Sequence, residues 1–442
     1  MEDAMESETV STKQQRIAEL ARIHPEVSFT SLAYHIDMEW LKEAYRRTRK
    51  SGAVGVDRET AQEYGKDLEN NLKSLLERMK SGKYIAPPVR RVQIPKDGKG
   101  KETRPIGVPT FEDKVAQRAV HMVLEPLYEQ EFLDCSYGFR PKRSAHDALE
   151  GLWQQAMGIG GGWIIDLDIR KFFDSMSHRH IREILKRRVC DGVVRRLMGK
   201  WLKAGVMEKG QLSYPEEGSP QGGVISPMIS NVYLHEVLDK WFDEVVKPRM
   251  RGTAFMIRYA DDAVLVFSRK EDAQRVMEVL PKRFAKYGLT VHPQKTRIVE
   301  FSKPVSRERR EGPRAFSFLG FSHYWAKSRK GNWHIRRKTD KSRFTRAMRA
   351  ITGWCKKHRH SPLRKQQRML TLKLRGHYAY YGITGNMEWI ARFREEVRKA
   401  WRKWLDRRSR GRDMPWERFE RLEKRYSLPV AKIVHSYCTA KL

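Results

Sequence analysis

Two pairs of aspartates are the residues of this sequence best placed to do chemistry. Asp166 and Asp168 stand two apart in an apolar run, so on a strand both side chains would lie on one face. Asp261 and Asp262 are adjacent between two apolar runs, which is typical of a hairpin. Carboxylates that converge repel each other unless they are protonated or bind cations, and purely oxygen ligands favour Mg²⁺. The alternative, that each aspartate only caps a turn, remains open at this point.

The elements that must position these aspartates can be predicted from the hydrophobic pattern. From Trp163 onward it predicts a strand at 163–169, helices within 178–204 and 225–246, a hairpin over 255–267, a helix at 271–287 and a strand near 296–301. This order is a split βαβ arrangement whose antiparallel centre places the first strand beside the hairpin. The two aspartate pairs are therefore expected at one end of one sheet.

The charge of the chain is large and unevenly distributed. The 442 residues hold 89 Lys and Arg against 54 Asp and Glu, a net charge of +35. Residues 301–442 hold 39 basic and 11 acidic residues, so they account for +28 of it. Aromatic side chains are interleaved there, which predicts basic helices with an aromatic inner face. Such a charge favours a polyanionic partner, and an anionic membrane surface is the alternative.

Several classes of protein are excluded by the composition. The sequence has no run of about 20 apolar residues, so we expect no membrane span. The N-terminus is acidic and polar, unlike a signal or transit peptide. The four cysteines are far apart without a CxxC pair, which argues against a zinc ribbon and a disulfide framework. We therefore expect a cytoplasmic protein with reduced thiols.

Several motifs together resemble one family, the reverse transcriptases encoded by bacterial group II introns. In chain order they are SYGFRP (136–141) followed by Ser144-Ala145-His146, WIIDLDIRKFFD (163–174), GSPQGGVISP (218–227), YADD (259–262), the segment from Gly288-Leu289 to Pro293-Gln294-Lys295-Thr296, and FLGF (318–321). The resemblance covers about residues 35–440. It overturns the turn-cap interpretation of the aspartates.

The resemblance implies an α+β fold of the right-hand polymerase type. Fingers and a palm with the split βαβ core would be followed by an α-helical thumb and maturase domain. The expected domains are an N-terminal extension at 1–80, fingers and palm at 81–302, and the RNA-binding thumb and maturase domain (domain X) at 303–442. Helical segments at 340–360, 362–381 and 387–408 fit that thumb.

The resemblance also assigns the metal site. The family places an aromatic residue five positions after its metal-binding aspartate, and Phe173 has that relation to Asp168, not to Asp166. Asp168, Asp261 and Asp262, with the backbone carbonyl of Ile169, are thus expected to bind two Mg²⁺ ions, with Mn²⁺ as a substitute. Asp166 would tune or orient the site. Phe173 would exclude a 2′-hydroxyl; simple core packing is its alternative role.

Further residues are assigned to the nucleotide by the same resemblance. Lys96 and Arg104 would contact the triphosphate, although Lys99 and Lys101 between them could substitute for Lys96. Gln221 would contact the template or the nucleotide. Lys295 would donate a proton to pyrophosphate, or is only a surface lysine.

The basic last third resembles the maturase domain through LRGHYAYYG (374–382). The residues expected to bind RNA or DNA are Arg140, Lys373, Arg375, Arg407 and Arg408. Arginines at helix C-termini, such as Arg407 and Arg408, are also explained as complements of the helix dipole. The excess of +28 is too large for that explanation alone.

The function implied is an RNA-directed DNA polymerase that is also an intron maturase. Its partners would be group II intron RNA, a DNA target or primer and dNTPs, with no membrane and with a homodimer left open. The chain shows no paired cysteines of a His-Asn-His endonuclease, so an endonuclease-lacking, class C-like member is expected. Two alternatives stay open: a splicing cofactor whose polymerase is idle, and a domesticated relative in phage defence or a CRISPR system.

Overall fold

The computed structural model describes residues 9–95, 103–208, 210–214, 217–218, 222–304, 315–328, 330–408 and 414–436. Among the residues singled out above, Lys96, Lys99, Lys101 and Gln221 lie outside the described residues. The chain forms two compact units. The first holds most of the chain up to Ala148 together with Trp163–Ile298, and the second holds Leu149–Gly162 and Val299–Leu442. The predicted domain boundaries remain predictions.

The helices and strands are numbered along the chain. The helices are α1 (Val10–Ile23), α2 (Met38–Arg47), α3 (Ala61–Tyr64), α4 (Leu68–Ser81), α5 (Phe111–Tyr128), α6 (Ala145–Gly158), α7 (Phe172–Ser175), α8 (His178–Lys186), α9 (Gly192–Leu202), α10 (Ser226–Leu234), α11 (Lys270–Ala285), α12 (Lys341–Lys357), α13 (Leu363–Tyr381), α14 (Met387–Asp406) and α15 (Trp416–Arg425). The strands are β1 (Val89–Pro95), β2 (Thr103–Val108), β3 (Trp163–Leu167), β4 (Val206–Glu208), β5 (Gln211–Ser213), β6 (Ala254–Tyr259), β7 (Asp262–Phe267), β8 (Arg297–Glu300), β9 (Phe316–Phe318), β10 (Phe321–Lys327) and β11 (Trp333–Thr339). Within the described residues, no helix combines the length and apolar character needed to cross a membrane.

The sheet that positions the aspartates has the strand order β6-β7-β3-β8. β7 is antiparallel to both β6 and β3, so the first strand does lie beside the hairpin as the sequence predicts. Leu167 pairs with Ala263, so Asp168 follows the last paired residue of β3 at the end where the hairpin turns. The central strands are almost entirely apolar and buried, which is typical of a sheet covered on both faces.

A second sheet in the first unit has the order β2-β1-β4-β5. β1 and β2 form an antiparallel hairpin in which Ile94 pairs with Arg104. The helices before it pack on α5 through apolar faces. Trp40 of α2 is fully buried there, and its indole N–H donates to the carbonyl of Ala119 at 3.0 Å. These helices thus share a buried core with α5, whereas the β1–β2 hairpin is mostly half-buried or exposed.

The predicted helix at 225–246 differs from a regular α-helix. α10 ends at Leu234, and the chain continues as two π-helical segments, His235–Asp239 and Trp241–Val246. π-helical turns are rare and are often found near functional sites. Asp239, the last residue of the first π-helical segment, pairs with Arg258 of β6, as described below.

The second unit combines a small sheet with the helices α12–α15. Its strands have the order β11-β10-β9, which the sequence analysis did not predict. Residues alternate between buried and half-buried along β10, and this period of two is the signal that was missed. The three predicted helices are present as α12, α13 and α14, and buried aromatic side chains such as Tyr378 and Trp401 form their core. Most of the interleaved aromatics are therefore packing residues.

Candidate active site

A cavity of about 580 Å³ lies at the end of the first sheet. Asp168, Asp261 and Asp262 all line it, together with Ile169. Asp166 is not among the residues of its wall; its carboxylate lies 3.9 Å from Nε of Arg297. The structure therefore brings together the three aspartates assigned to the metal and separates them from Asp166.

The backbone at Asp168 is held by the segment that follows α11. The amide of Asp168 donates to Oγ1 of Thr296 at 3.1 Å, and the Asp168 carbonyl accepts from the amide of His292 at 2.8 Å. Nζ of Lys295 lies 3.3 Å from Oδ2 of Asp168 and is well exposed. The segment that contains Lys295 thus fixes the first carboxylate and supplies one positive charge beside it.

Burial raises the pKa of the Asp261 carboxyl, and the neighbouring Asp168 carboxylate raises it further, whereas Arg104 and Arg258 act in the opposite direction. Burial also raises the pKa of Asp166. Ionised carboxylates at this end of the sheet are therefore unfavourable without positive charge. A bound cation would remove that penalty.

The carboxylate oxygens that line the cavity suit a hard divalent cation. Among the described residues, no three acidic, histidine or cysteine side chains stand close enough together to enclose an ion in their present rotamers. The carboxylates of Asp168, Asp261 and Asp262 nevertheless line one cavity, and carboxylate oxygens are the ligands that Mg²⁺ prefers. The chemistry of the site therefore fits the predicted metal.

One basic part of the cavity wall comes from the β1–β2 hairpin. Arg104 of β2 and Arg91 of β1 line it. Guanidinium groups bind phosphate oxygens in a bidentate manner, so this wall can bind a triphosphate. Phe173 also lines the cavity, half-buried, with its ring 5.3 Å from that of Phe172 in an edge-on arrangement. Phe173 therefore both packs on the core and presents a face to the cavity.

The structure describes part of the glycine-rich motif GSPQGGVISP (218–227), namely Gly218 and residues 222–227. Gly222 has a φ of +108°, and a Cβ there would lie 2.6 Å from the carbonyl oxygen of Gly107. The close approach that Gly222 permits is thus to strand β2. Gly218 has a φ of +88° and similarly packs on the carbonyl of Phe173.

Arg258 is a residue that the sequence analysis missed. It is 0% exposed, and its five N–H groups all find acceptors. The acceptors are Asp239 Oδ1 at 2.7 Å and Oδ2 at 2.5 Å, Asn231 Oδ1 at 3.0 Å, the carbonyl of Ala260 at 2.9 Å and Ser136 Oγ at 2.7 Å. We call this set the Arg258 network. Burial alone would raise the pKa of the Asp239 carboxyl, but the charge of Arg258 holds that pKa below its usual range.

The Arg258 network lies directly behind the turn that carries Asp261. Ala260, the residue before Asp261, has a φ of +57°, which an L-residue adopts only when its surroundings impose it. Its carbonyl is bound by Arg258. The signal in the sequence was a charged residue inside an otherwise apolar strand, between Ile257 and Tyr259. A buried arginine requires a partner, but the sequence does not say which acid supplies it.

The SYGFRP motif packs against the same turn. A Cβ on Gly138 would lie 2.3 Å from the amide nitrogen of Ala260, so glycine is required there. The amide of Tyr137 donates to the carbonyl of Arg258 at 2.8 Å. This motif thus supports the turn that carries Asp261 and Asp262.

Arg140 of the same motif, which the sequence predicts to bind RNA or DNA, is buried and paired within the protein. It is 7% exposed, its guanidinium pairs with Glu129 at 2.9 Å, and it also donates to the carbonyls of Leu133 and Ser136. This placement argues against the predicted contact, because the donors are already engaged by protein acceptors. Net charge alone did not reveal the pairing with Glu129.

The other residues assigned to nucleic acid lie in the second unit. Arg375 and Arg407 are exposed, and Lys373 is half-buried with its Nζ 5.9 Å from the centre of the Trp354 ring. Arg408 donates to the carbonyls of Arg359 and Ser361, so it fastens the loop after α12. Arg375 and Arg407 therefore remain accessible, whereas Arg408 has a structural contact.

Comparison with known proteins places the site in a family. The family model described as reverse transcriptase (RNA-dependent DNA polymerase) matches residues 94–323. The chain is 36% identical to Protein YkfC of Escherichia coli (strain K12) over 289 residues, 58% of this chain and 75% of that protein. It is 34% identical to Group II intron-encoded protein LtrA of Lactococcus lactis subsp. cremoris over 245 residues, 53% of this chain and 40% of LtrA. It is 28% identical to Nuclear intron maturase 2, mitochondrial, of Arabidopsis thaliana over 175 residues, 31% of this chain and 24% of that protein. The chain therefore belongs to the reverse transcriptase family of RNA-directed DNA polymerases, among the group II intron reverse transcriptases and maturases.

Proposed function

We propose that this chain binds a group II intron RNA, assists its splicing and copies it from a DNA primer during insertion of the intron into DNA (retrohoming). The observation that carries the proposal is the cavity in which Asp168, Asp261 and Asp262 lie together with Arg104 and Phe173. Acidic groups for cations, a basic wall for phosphates and an aromatic face for a sugar are the parts that nucleotidyl transfer needs.

The metal site would be formed by the three aspartates. Asp168 and Asp261 would hold two Mg²⁺ ions, with Asp262 and the carbonyl of Ile169 as further donors and Mn²⁺ as a substitute. When bound, the cations would favour ionisation of the primer 3′-hydroxyl and neutralise the charge on the transferring phosphate. The raised pKa of Asp261 supports this assignment, because a cation would favour the charged carboxylate.

The remaining wall residues would select and orient the nucleotide. Arg104 would bind the triphosphate of a dNTP together with Lys96, which lies outside the described residues. Gln221, also outside the described residues, would contact the template or the nucleotide. Phe173 would lie under the sugar and exclude a 2′-hydroxyl. Lys295 would give a proton to the departing pyrophosphate; its Nζ is exposed and lies beside Asp168, which supports that role.

The RNA-binding and maturase role would belong to the last third of the chain. In this layout the fingers and palm are residues 81–302, preceded by the extension 1–80, and the thumb and maturase domain is 303–442. Exposed Arg375 and Arg407 and the excess of +28 support binding to RNA or to an RNA–DNA duplex. Assistance to splicing would be a binding function, separate from the aspartate chemistry.

Extension of a DNA primer on an RNA template tests the proposal. The wild type should extend the primer with dNTPs and Mg²⁺, and Asp261→Asn should not. Asp243→Asn is a matched control, because Asp243 is an exposed residue paired with Lys247. Asp261→Asn should still accelerate splicing of a precursor RNA. Equal extension by wild type and Asp261→Asn would refute the polymerase site, and failure of both proteins to affect splicing would refute the maturase role.

A further inference from the structure

Phe139 is a large aromatic residue in an unusual position. It is 55% exposed, and its φ is +58°. A bulky side chain rarely adopts a positive φ, because its Cβ then approaches the backbone. The residue thus combines an unfavourable backbone conformation with an apolar ring in solvent, and neither contributes to the stability of the fold. Strain of this kind is concentrated at functional sites.

The backbone on both sides of Phe139 is fixed by buried contacts. Gly138 is buried against Ala260, and its carbonyl accepts from Nδ2 of Asn231 at 2.7 Å. Arg140 is buried and paired with Glu129 at 2.9 Å. The chain therefore cannot rotate the ring of Phe139 inward. The same contacts that support the catalytic turn force this ring to stay outside.

The ring of Phe139 is displayed beside the catalytic aspartates. Its centre lies 6.5 Å from that of Tyr259, with the ring planes tilted by 39°. Tyr259 is the last residue of β6, and Asp261 follows it by two positions. The two rings thus form an aromatic surface next to the turn, and no residue of that surface belongs to the basic wall that would bind the triphosphate.

We infer that Phe139 is a contact for nucleic acid, stacking on the base or packing on the sugar of a nucleotide close to the growing end. This inference rests on the proposed polymerase function. An aromatic face suits every base, because all bases have a π-face and stacking does not depend on sequence. Both the primer and the template strand offer this chemistry next to the aspartates, and the experiment below distinguishes them.

Substitution by glycine separates this role from a structural one. Phe139→Gly removes the ring and also relieves the positive φ, so the midpoint of thermal unfolding should stay the same or rise. Affinity for an RNA–DNA primer–template, measured by fluorescence anisotropy without nucleotides, should fall by about 5-fold to about 150-fold, the range for loss of one stacked base. Phe139→Tyr should bind like the wild type, and Phe139→Leu should be intermediate.

Lys142→Gly is the matched control. Lys142 is exposed and has the same φ of +58° three residues further along, so its glycine variant relieves similar strain without removing a ring. It should bind the primer–template within about two-fold of wild type at a salt concentration that suppresses a single charge contact. Equal affinities of Phe139→Gly and Lys142→Gly would overturn the inference, and so would a fall in stability of Phe139→Gly that parallels its loss of binding.

Abasic substitutions identify the strand. If Phe139 stacks on a primer base, one abasic site in the primer should abolish the difference in affinity between wild type and Phe139→Gly, whereas abasic sites in the template should not. The reverse pattern would assign the contact to the template. If the affinity difference persists with each abasic site tested in turn in both strands, base stacking is excluded and the contact is with a sugar. Because binding is measured without nucleotides, absence of polymerase activity in the wild type refutes the proposed function separately.

Discussion

Arg258 allows the sharpest test of how the turn that carries Asp261 and Asp262 is held. We consider Arg258→Lys, which keeps the positive charge but reduces five N–H donors to three on one nitrogen. A lysine ammonium cannot reach Asp239, the carbonyl of Ala260 and Ser136 together, so at least two buried acceptors lose their donor. Each unpaired buried group costs about 1 to 3 kcal/mol. The free energy of unfolding should therefore fall by about 2 to 6 kcal/mol.

The catalytic effect should exceed the effect on binding. Loss of the bond to the Ala260 carbonyl releases the residue that precedes Asp261, and a displacement of about 1 Å at a reacting group can reduce the rate about 100-fold. Single-turnover incorporation of one dNTP should thus be about 100-fold slower in Arg258→Lys. Its affinity for the primer–template should change by less than about three-fold, because no residue of the Arg258 network is exposed to that ligand.

Arg188→Lys provides the comparison. Arg188 is also buried, pairs with Glu131 and donates to the carbonyl of His24 at 3.0 Å, but it does not line the cavity. Its replacement should destabilise the fold by a similar amount, measured by urea unfolding, with little change in the incorporation rate below the unfolding transition. If the two variants lose the same stability and the same rate, the Arg258 network is only structural and the positioning argument is wrong.

Phe173→Ala should raise incorporation of ribonucleotides relative to deoxynucleotides by about 10- to 100-fold in a competition assay, the usual range for a contact that discriminates one small group. An unchanged ratio would leave core packing as the only role of Phe173. Arg343, Arg346 and Arg349 line one surface cavity on α12. Replacing all three by glutamine should reduce the magnitude of the slope of log binding constant against log salt concentration, for an RNA–DNA duplex, by about 2 to 3. An unchanged slope would contradict a duplex contact there. Burial raises the pKa of Asp113 from 3.8 to about 6. The stability that this protonated carboxyl contributes is fully present below pH 3.8 and is lost as the pH rises through 6. The unfolding free energy of the wild type relative to Asp113→Asn should therefore fall by about 2 to 3 kcal/mol between pH 4 and pH 7. A difference independent of pH would show that folding does not raise the pKa of Asp113.

The elements around the aspartates were predictable because each is short, regular and marked by apolar residues. The β6–β7 hairpin and β3 could be placed within one or two residues, and their antiparallel pairing followed from their order. The strands of the second unit were not predicted, because basic and aromatic residues obscure the alternation in β10 and β11. Alternation of apolar and polar residues is a weak signal over only seven residues when half-buried positions also carry aromatic side chains.

The site itself was predictable only where chemistry is local in the sequence. Asp261 and Asp262 are adjacent, whereas Asp168 is preferred to Asp166 only through the family resemblance, which places an aromatic residue, here Phe173, five positions after the metal-binding aspartate. Arg258 could not be assigned a role, because its partners Ser136 and Asp239 lie 122 and 19 residues away in the chain. Contacts of that separation are made by packing, which a hydrophobic pattern does not encode.

The arginines of this protein divide according to whether the fold neutralises them. Arg258, Arg140 and Arg188 are buried, and each is paired with a carboxylate of the first unit. A buried guanidinium is stable only with such a partner, so these residues hold backbone and do not attract a polyanion. The last third has 39 basic residues against 11 acidic ones, too few acids for pairing on that scale. Most of the net charge, +28 of +35, therefore belongs to the surface of that region. In the first unit, the buried arginines say more about how the turn at Asp261 is held than about what the protein binds.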